Sequence, residues 1–219
     1  MSLSIFDLDN TLLNGDSDYL WGQFLVELGI VDGPRYEQKN QEFYDQYKQG
    51  TLDILAFLAF SLKPLSEHPQ EQLLRWRDTF MREKIQPIML EKAQSLIDDH
   101  RQRGNTLMII TATNRFVTQP IADALGIPHL LATEAETVNG QYTGKVSGIP
   151  CFQGGKVERL QQWLSDNNAN LDESWFYSDS HNDIPLLDKV SYPVAVDPDS
   201  VLKDYAQDRE WDVISLRNT

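Results

Sequence analysis

Hydrophobic residues along this chain switch between two spacings. At the start, Leu3, Ile5, Phe6 and Leu8 crowd into a short run that reads as a β-strand. From Ser17 the spacing lengthens to three and four. Leu20, Trp21, Phe24, Leu25 and Leu28 mark one face of a helix, and Gly29 supplies its stop. The same rhythm predicts helices over 34–48, 52–62 and 69–84, broken by Gly50-Thr51 and by KPLSEHP at 63–69. Trp21, Phe24, Phe43, Tyr44 and Phe57 fall at helical spacing and read as the interior of this block.

After Pro87 strands and helices alternate. A helix over 89–103 ends at Gly104, a strand follows at 106–111, a helix at 115–125 and a short buried strand at 127–132. Asn139-Gly140 between alternating segments signals a hairpin. A helix over 155–166 leads to the strand SWFYS at 174–178, and YPVAV at 192–196 reads as a further strand. Such alternation implies an α/β fold, a mostly parallel sheet covered by helices on both faces. The helical block interrupts it immediately after the first strand.

Composition narrows the picture. The 219 residues, 41% of them hydrophobic, suffice for one sizeable domain or a core plus a small accessory unit. With 19 Lys+Arg against 33 Asp+Glu, the formal charge of −14 repels polyphosphate and anionic lipid, so no nucleic-acid or membrane partner is expected. The longest strongly apolar stretch, ILAFLAF at 54–60, is far shorter than the ~20 residues that span a bilayer. No signal-peptide pattern precedes Asp7. A single cysteine, Cys151, allows no intramolecular disulfide and reads as a packed thiol. A cytoplasmic monomer or homodimer is the expectation.

Open parallel sheets bind ligands beyond the carboxyl ends of their strands, and acids gather at those ends here. DLDNTL places Asp7 and Asp9 after the first strand; LMIITATN offers Thr111. YSDSHND offers Asp179, Asn182 and Asp183, and Lys156 opens the helix after Gly154-Gly155. Clustered carboxylates with oxygen partners favour a hard cation such as Mg²⁺. A hydroxyl and a lysine can hold phosphoryl oxygens, leaving one carboxylate free as a nucleophile. Singly, each element also has a structural reading as a solvated turn, a capping hydroxyl or a surface lysine. Their order and shared sheet edge favour the chemical one.

DLDNTL, TAT, Lys156 and DSHND resemble, in order, the four motifs of the haloacid dehalogenase superfamily, and the chain is most similar to its phosphoserine-phosphatase-like branch, subfamily IB. The resemblance implies a Rossmann-like core over 1–15 and 86–219, with a helical-bundle cap domain over 16–85. It implies Asp7 as nucleophile and Asp9 as general acid and base. It places Mg²⁺ on Asp7, the main-chain carbonyl of Asp9 and Asp179, with Asp183 close behind. Thr111, Ala112, Lys156 and Asn182 would surround the phosphoryl group of a small phosphomonoester. Ser178 stands where the family often has glycine.

Asp16 and Asp18 stand near the place of a cap glutamate that reads the substrate amine in phosphoserine phosphatases, with Glu27 two or three turns on. Acids there suit a cationic leaving group. Histidinol phosphate, with an amine, an imidazole and no carboxylate, is therefore expected ahead of phosphoserine, whose carboxylate needs an arginine; Arg35, Arg75, Arg77 and Arg82 are the candidates. A phospho-receiver, which uses an Asp, a Thr and a Lys on a similar sheet, is the alternative of a different class. Receivers are shorter and carry no cap.

Overall fold

A computed structural model describes residues 2–217. The first strand, β1 (Leu3–Phe6), is buried at every position, as the central strand of a two-sided sheet must be. Leu3 and Ile5 face one hydrophobic cluster and Phe6 the other, the alternation a pleated strand imposes. β2 (Thr106–Asn114), β3 (His129–Val138), β4 (Gln141–Ser147), β5 (Ser174–Ser178), β6 (Tyr192–Val196) and β7 (Asp212–Ile214) complete the sheet. Its order is β4-β3-β2-β1-β5-β6-β7. Only β3 and β4 pair antiparallel, through Asn139 and Gly140, both at positive φ as a tight hairpin requires.

Between β1 and β2 lie α1 (Ser17–Glu27), α2 (Gly33–Lys48), α3 (Ile54–Ser61), α4 (Lys63–Glu67) and α5 (Gln70–Phe80). A π-helical turn (Met81–Ile85) and a 3-10 turn (Gln86–Ile88) extend α5. The expected break at 63–69 is instead the helix α4. Pro64 falls in its first turn, where a missing N–H costs no helical bond. Chain entry and exit lie side by side, since Leu13 bridges Met89 and Asn14 N donates to Ile88 O at 2.8 Å.

The helices α6 (Glu91–Gln102) and α7 (Arg115–Leu125) cover one face of the sheet, with Ala93, Ile97, Val117 and Ile121 in its cluster. That cluster continues into the helical block: the Trp21 ring lies 5.1 Å from Phe80 and 5.7 Å from Phe116, centroid to centroid. The opposite face is covered by α8 (Gly154–Asp166), α9 (Ile184–Leu187) and α10 (Ser200–Asp208) through Leu160, Leu187, Leu202 and Ala206. Cys151 is buried there, its thiol pushed up to about 12 by desolvation. No helix is long and apolar enough to cross a membrane among the described residues.

The start of α8 is tightly built. Gln153 adopts φ 46°, the left-handed region, and Gly155 N donates to Phe152 O at 2.8 Å. A Cβ on Gly155 would lie 2.1 Å from the Pro150 carbonyl oxygen, a contact with rigid backbone. Gly155→Ala is therefore expected to cost roughly 1–3 kcal/mol, the usual range for overpacking. Urea unfolding checks it: the midpoint should fall at unchanged slope, and a wild-type midpoint would contradict the assignment.

Candidate active site

Asp7 directly follows β1, and its N–H donates to Tyr177 O at 2.9 Å, extending the ladder with β5 by one bond. The chain then turns sharply. Leu8 O accepts from the N–H groups of Thr11, Leu12 and Leu13, and Asn10 takes a positive φ of 58°. This turn keeps Asp7 and Asp9 in one cavity, which Thr111, Ala112, Thr113, Lys156 and Asp183 also line.

Lys156 is buried, and its Nζ donates to Asp7 Oδ1 and to Asp183, each at 2.8 Å. Asp183 also accepts from Ser178 Oγ at 2.7 Å. Asp179 Oδ1 accepts from Thr11 Oγ1 at 3.2 Å, while the same hydroxyl accepts from Asp179 N at 3.1 Å. Asp9 is held by two donors: Ser17 N to Oδ1 at 2.6 Å and Thr113 Oγ1 to Oδ2 at 2.8 Å.

One ammonium thus serves several buried carboxylates, and the electrostatics register the shortage. Burial pushes Asp7 above the usual carboxylate range against the pull of Lys156, with Asp183 and Asp9 pushing the same way as burial. Burial, followed by the charge of Asp16, pushes Asp9 up to about 7. Asp179 is raised well above its ordinary value by burial and then by Asp7 and Asp183. Lys156, facing two carboxylates, is held above the usual lysine range despite its burial.

This donor set fits a hard divalent ion. Asp7, Asp179 and the Asp9 carbonyl offer oxygen only, and a cation would offset the burial, and the repulsion added to it, that raise the two side chains. Among the described residues, no three His, Cys, Asp or Glu side chains form a ready cage. Mg²⁺ needs none, because it is usually held by one or two carboxylates and completed by water and phosphate oxygens.

From the helical block, Asp16 and Asp18 reach the same cavity, together with Tyr19, Phe43, Tyr44, Tyr47 and Phe57. Asp16 caps α1 by accepting from Tyr19 N at 2.8 Å, and burial raises its pKa. Asp18 is 8% exposed, its Oδ2 has no hydrogen-bond partner, and burial followed by Asp16 and Asp9 raises it well above the ordinary range. Phe43, Tyr44 and Phe57, expected in the interior of the block, line the cavity. Glu27 does not; it pairs with Lys84 at 2.7 Å.

This doubly wound sheet, with acids gathered beyond its strand ends, defines an α/β protein with an acidic site at the sheet edge. A model of the haloacid dehalogenase-like hydrolases matches residues 5–188, and the chain belongs to that family; it is an enzyme, a phosphatase. It is 41% identical to a histidinol-phosphatase of Neisseria meningitidis serogroup C (strain 8013) over 99% of both chains. It is 29% identical to phosphoserine phosphatase SerB1 of Mycobacterium tuberculosis (strain ATCC 25618 / H37Rv), covering 98% of this chain and 70% of that one. A solved structure of a protein with unknown function from Bordetella pertussis Tohama I superposes with a TM-score of 0.93 at 41% identity, over 99% of each.

Two of the residues expected at the site do not line this cavity. Asp179 borders a neighbouring one, with Asn10, Tyr44, Tyr47, Ser180 and Asp199. Asn182 spends its carboxamide elsewhere: Oδ1 accepts from Gln153 Nε2 at 2.8 Å, and Nδ2 donates to Tyr47 O at 3.0 Å and Ser180 Oγ at 3.2 Å. Thr113 and Thr11 were not expected among the site's side chains, and Ser178 was noted only as standing where the family often has glycine. A second threonine soon after Thr111 is the signal that points to Thr113, which a register shift in β2 brings to Asp9.

The raised acids set a pH dependence of stability. Between an unfolded carboxylate value near ~4 and the raised native ones, the native chain binds more protons than the unfolded chain, so stability falls as pH rises. In chelator, the melting temperature should therefore drop from about pH 4 to about pH 7. Asp179→Asn should melt higher than wild type above that window and lose its advantage at the acid end. Superimposable Tm–pH curves would contradict this account.

Proposed function

We propose that this phosphatase hydrolyses small phosphate monoesters whose alcohol carries a positive charge, histidinol phosphate first among them. One observation carries the reading. The cavity that contains Asp7 and Lys156 is also lined by Asp16 and Asp18, and among the described residues that line it Lys156 is the only lysine or arginine. An amine or imidazolium there meets carboxylates and the aromatic faces of Tyr19, Phe43 and Tyr44. The carboxylate of phosphoserine would meet like charge.

None of the candidate arginines lines that cavity. Arg77 donates to Phe116 O at 3.0 Å and lies over its ring. Arg75 pairs with Glu71 and Arg82 with Glu83, and Arg35 borders a different cavity. The name of the Neisseria relative supports histidinol phosphate; that of the Mycobacterium relative keeps phosphoserine as the comparison compound. Family membership removes the support for a phospho-receiver.

The reaction follows from the placement of the carboxylates. A carboxylate oxygen of Asp7 attacks phosphorus in line, and the ester P–O bond breaks. The carboxyl of Asp9 gives its proton to the departing alkoxide. As a carboxylate, Asp9 then takes a proton from water; the water oxygen attacks phosphorus, the bond to Asp7 breaks, and inorganic phosphate leaves. Lys156, Thr111 and the main chain at Ala112 hold the phosphoryl oxygens through both displacements. The helical block, 16–85, acts as a cap whose acids read the alcohol. Asp7, Asp179 and the Asp9 carbonyl, with Asp183 behind, would hold Mg²⁺, which would supply charge neutralisation at the transferring group.

Phosphate release tests the reading directly. Asp7→Asn should abolish turnover while the fold persists. Histidinol phosphate should exceed L-phosphoserine in kcat/KM, and Asp18→Asn should lower that ratio by about tenfold or more, the scale of one charge-assisted hydrogen bond. Mg²⁺ should raise the melting temperature of wild type more than that of Asp179→Ala. A phosphoserine preference, or a ratio untouched by Asp18→Asn, would overturn the substrate assignment.

A further inference from the structure

We infer that Thr113 is a positioning residue for the proton transfers of Asp9, brought to it by a bulge in β2; the inference rests on the phosphatase reading above. The register shows the bulge. Thr111 pairs with Ala132, yet the next pair is Asn114 with Thr133, so β2 advances three residues while β3 advances one. Ala112 and Thr113 are the surplus. Bulges beside active sites re-aim side chains, and this one presents the buried Thr113 hydroxyl to Asp9 Oδ2 at 2.8 Å. The bulge is itself pinned, since Thr113 N donates to Thr111 Oγ1 at 3.2 Å.

Ser17 N, at the start of α1, holds the other oxygen of Asp9 at 2.6 Å. The carboxyl plane is thereby fixed from two elements far apart in sequence. Proton delivery to an ester oxygen depends on that orientation, and a displacement of about 1 Å can cost on the order of a hundredfold in rate. Removing the Thr113 hydroxyl frees one oxygen of Asp9 without touching Asp7, Lys156 or Thr111. The penalty falls on leaving groups that need a proton.

The test is a series of phosphate monoesters, from alkyl alcohols to nitrophenol, assayed with the whole protein in Mg²⁺. kcat/KM reports the steps through departure of the alcohol or phenol. Thr113→Val should lower it for alkyl esters roughly tenfold more than for p-nitrophenyl phosphate, whose phenolate leaves without a general acid. The slope of log kcat/KM against leaving-group pKa should steepen, and Thr113→Ser should restore it. Thr113→Ala serves the same comparison if valine crowds the bulge. A uniform fall across the series would mean that Thr113 only contacts the shared phosphoryl group, and with an unchanged slope the inference is overturned. A wild type inactive on the entire series overturns the phosphatase reading itself, and this inference with it.

Discussion

Lys156 is the interaction on which the rest of the site depends. Its ammonium is shared between Asp7 and Asp183 at 2.8 Å each, and without it those buried carboxylates would face each other unscreened. A buried charge persists only when it is paired and hydrogen-bonded. Much of the surrounding architecture serves that requirement. The glycine at 155 lets α8 begin against the Pro150 carbonyl, so that Lys156 emerges in the first turn of the helix. Ser178, the last residue of β5, adds a hydroxyl bond to Asp183 at 2.7 Å. A glycine at that position would leave the carboxylate one donor short.

Even so, the pairing is incomplete. Asp7, Asp9 and Asp179 are all raised by burial, so the folded chain disfavours their charged forms and loses stability as they ionise. Stability is given up at the place where chemistry needs an anion close to an anionic substrate. The parallel sheet makes the arrangement possible, because β1, β2 and β5 run the same way and deliver their final residues to one edge. An antiparallel order would send alternate strand ends to opposite edges.

Much of this was legible in the sequence. Strands buried on both faces appear as continuous apolar runs, so β1, β5 and β6 stood out, and the Asn139-Gly140 hairpin announced itself by turn chemistry. The acids that follow β1 and β5 were singled out for the same reason. Hydrophobic period carries no mark, however, of a bulge that shifts register, so the strand seemed to end at Thr111 and the role of Thr113 went unseen. β7 spans three residues, too few for a pattern, and Pro64 looked like a breaker because proline opens helices as readily as it ends them. Phe43 is buried and Phe57 packs on the core cluster as expected, yet with Tyr44 they also line the cavity, because a cavity wall and a packed core demand the same side chains. The carboxamide of Asn182 was beyond reach for a different reason: its partners Gln153 and Tyr47 lie far away in the chain.

Those distant partners explain why the helical block belongs where it is. It begins within ten residues of Asp9, and the first N–H of α1, that of Ser17, is a donor to Asp9. A helix N-terminus favours a carboxylate at that point. The far end of α2 returns to the opposite side of the site, where Tyr47 O accepts from Asn182 and Gly50 packs against the His181 ring so closely that a Cβ would lie 2.7 Å from Nε2. The block thus grips Asp9 at one end and the Asp179–Asp183 loop at the other. Its interior is continuous with the sheet's own cluster through Trp21, Phe80 and Phe116. Burial is the first cause of the raised pKa of Asp9, and the cavity beside it is also lined by Tyr19, Tyr44 and Tyr47. An Asp9 able to carry a proton near neutrality is therefore a joint product of strand end and helical block. Tyr19 and Tyr44 line the same cavity as Asp16 and Asp18, so the burial that raises Asp9 and the acids that face the cavity arise from one packing arrangement.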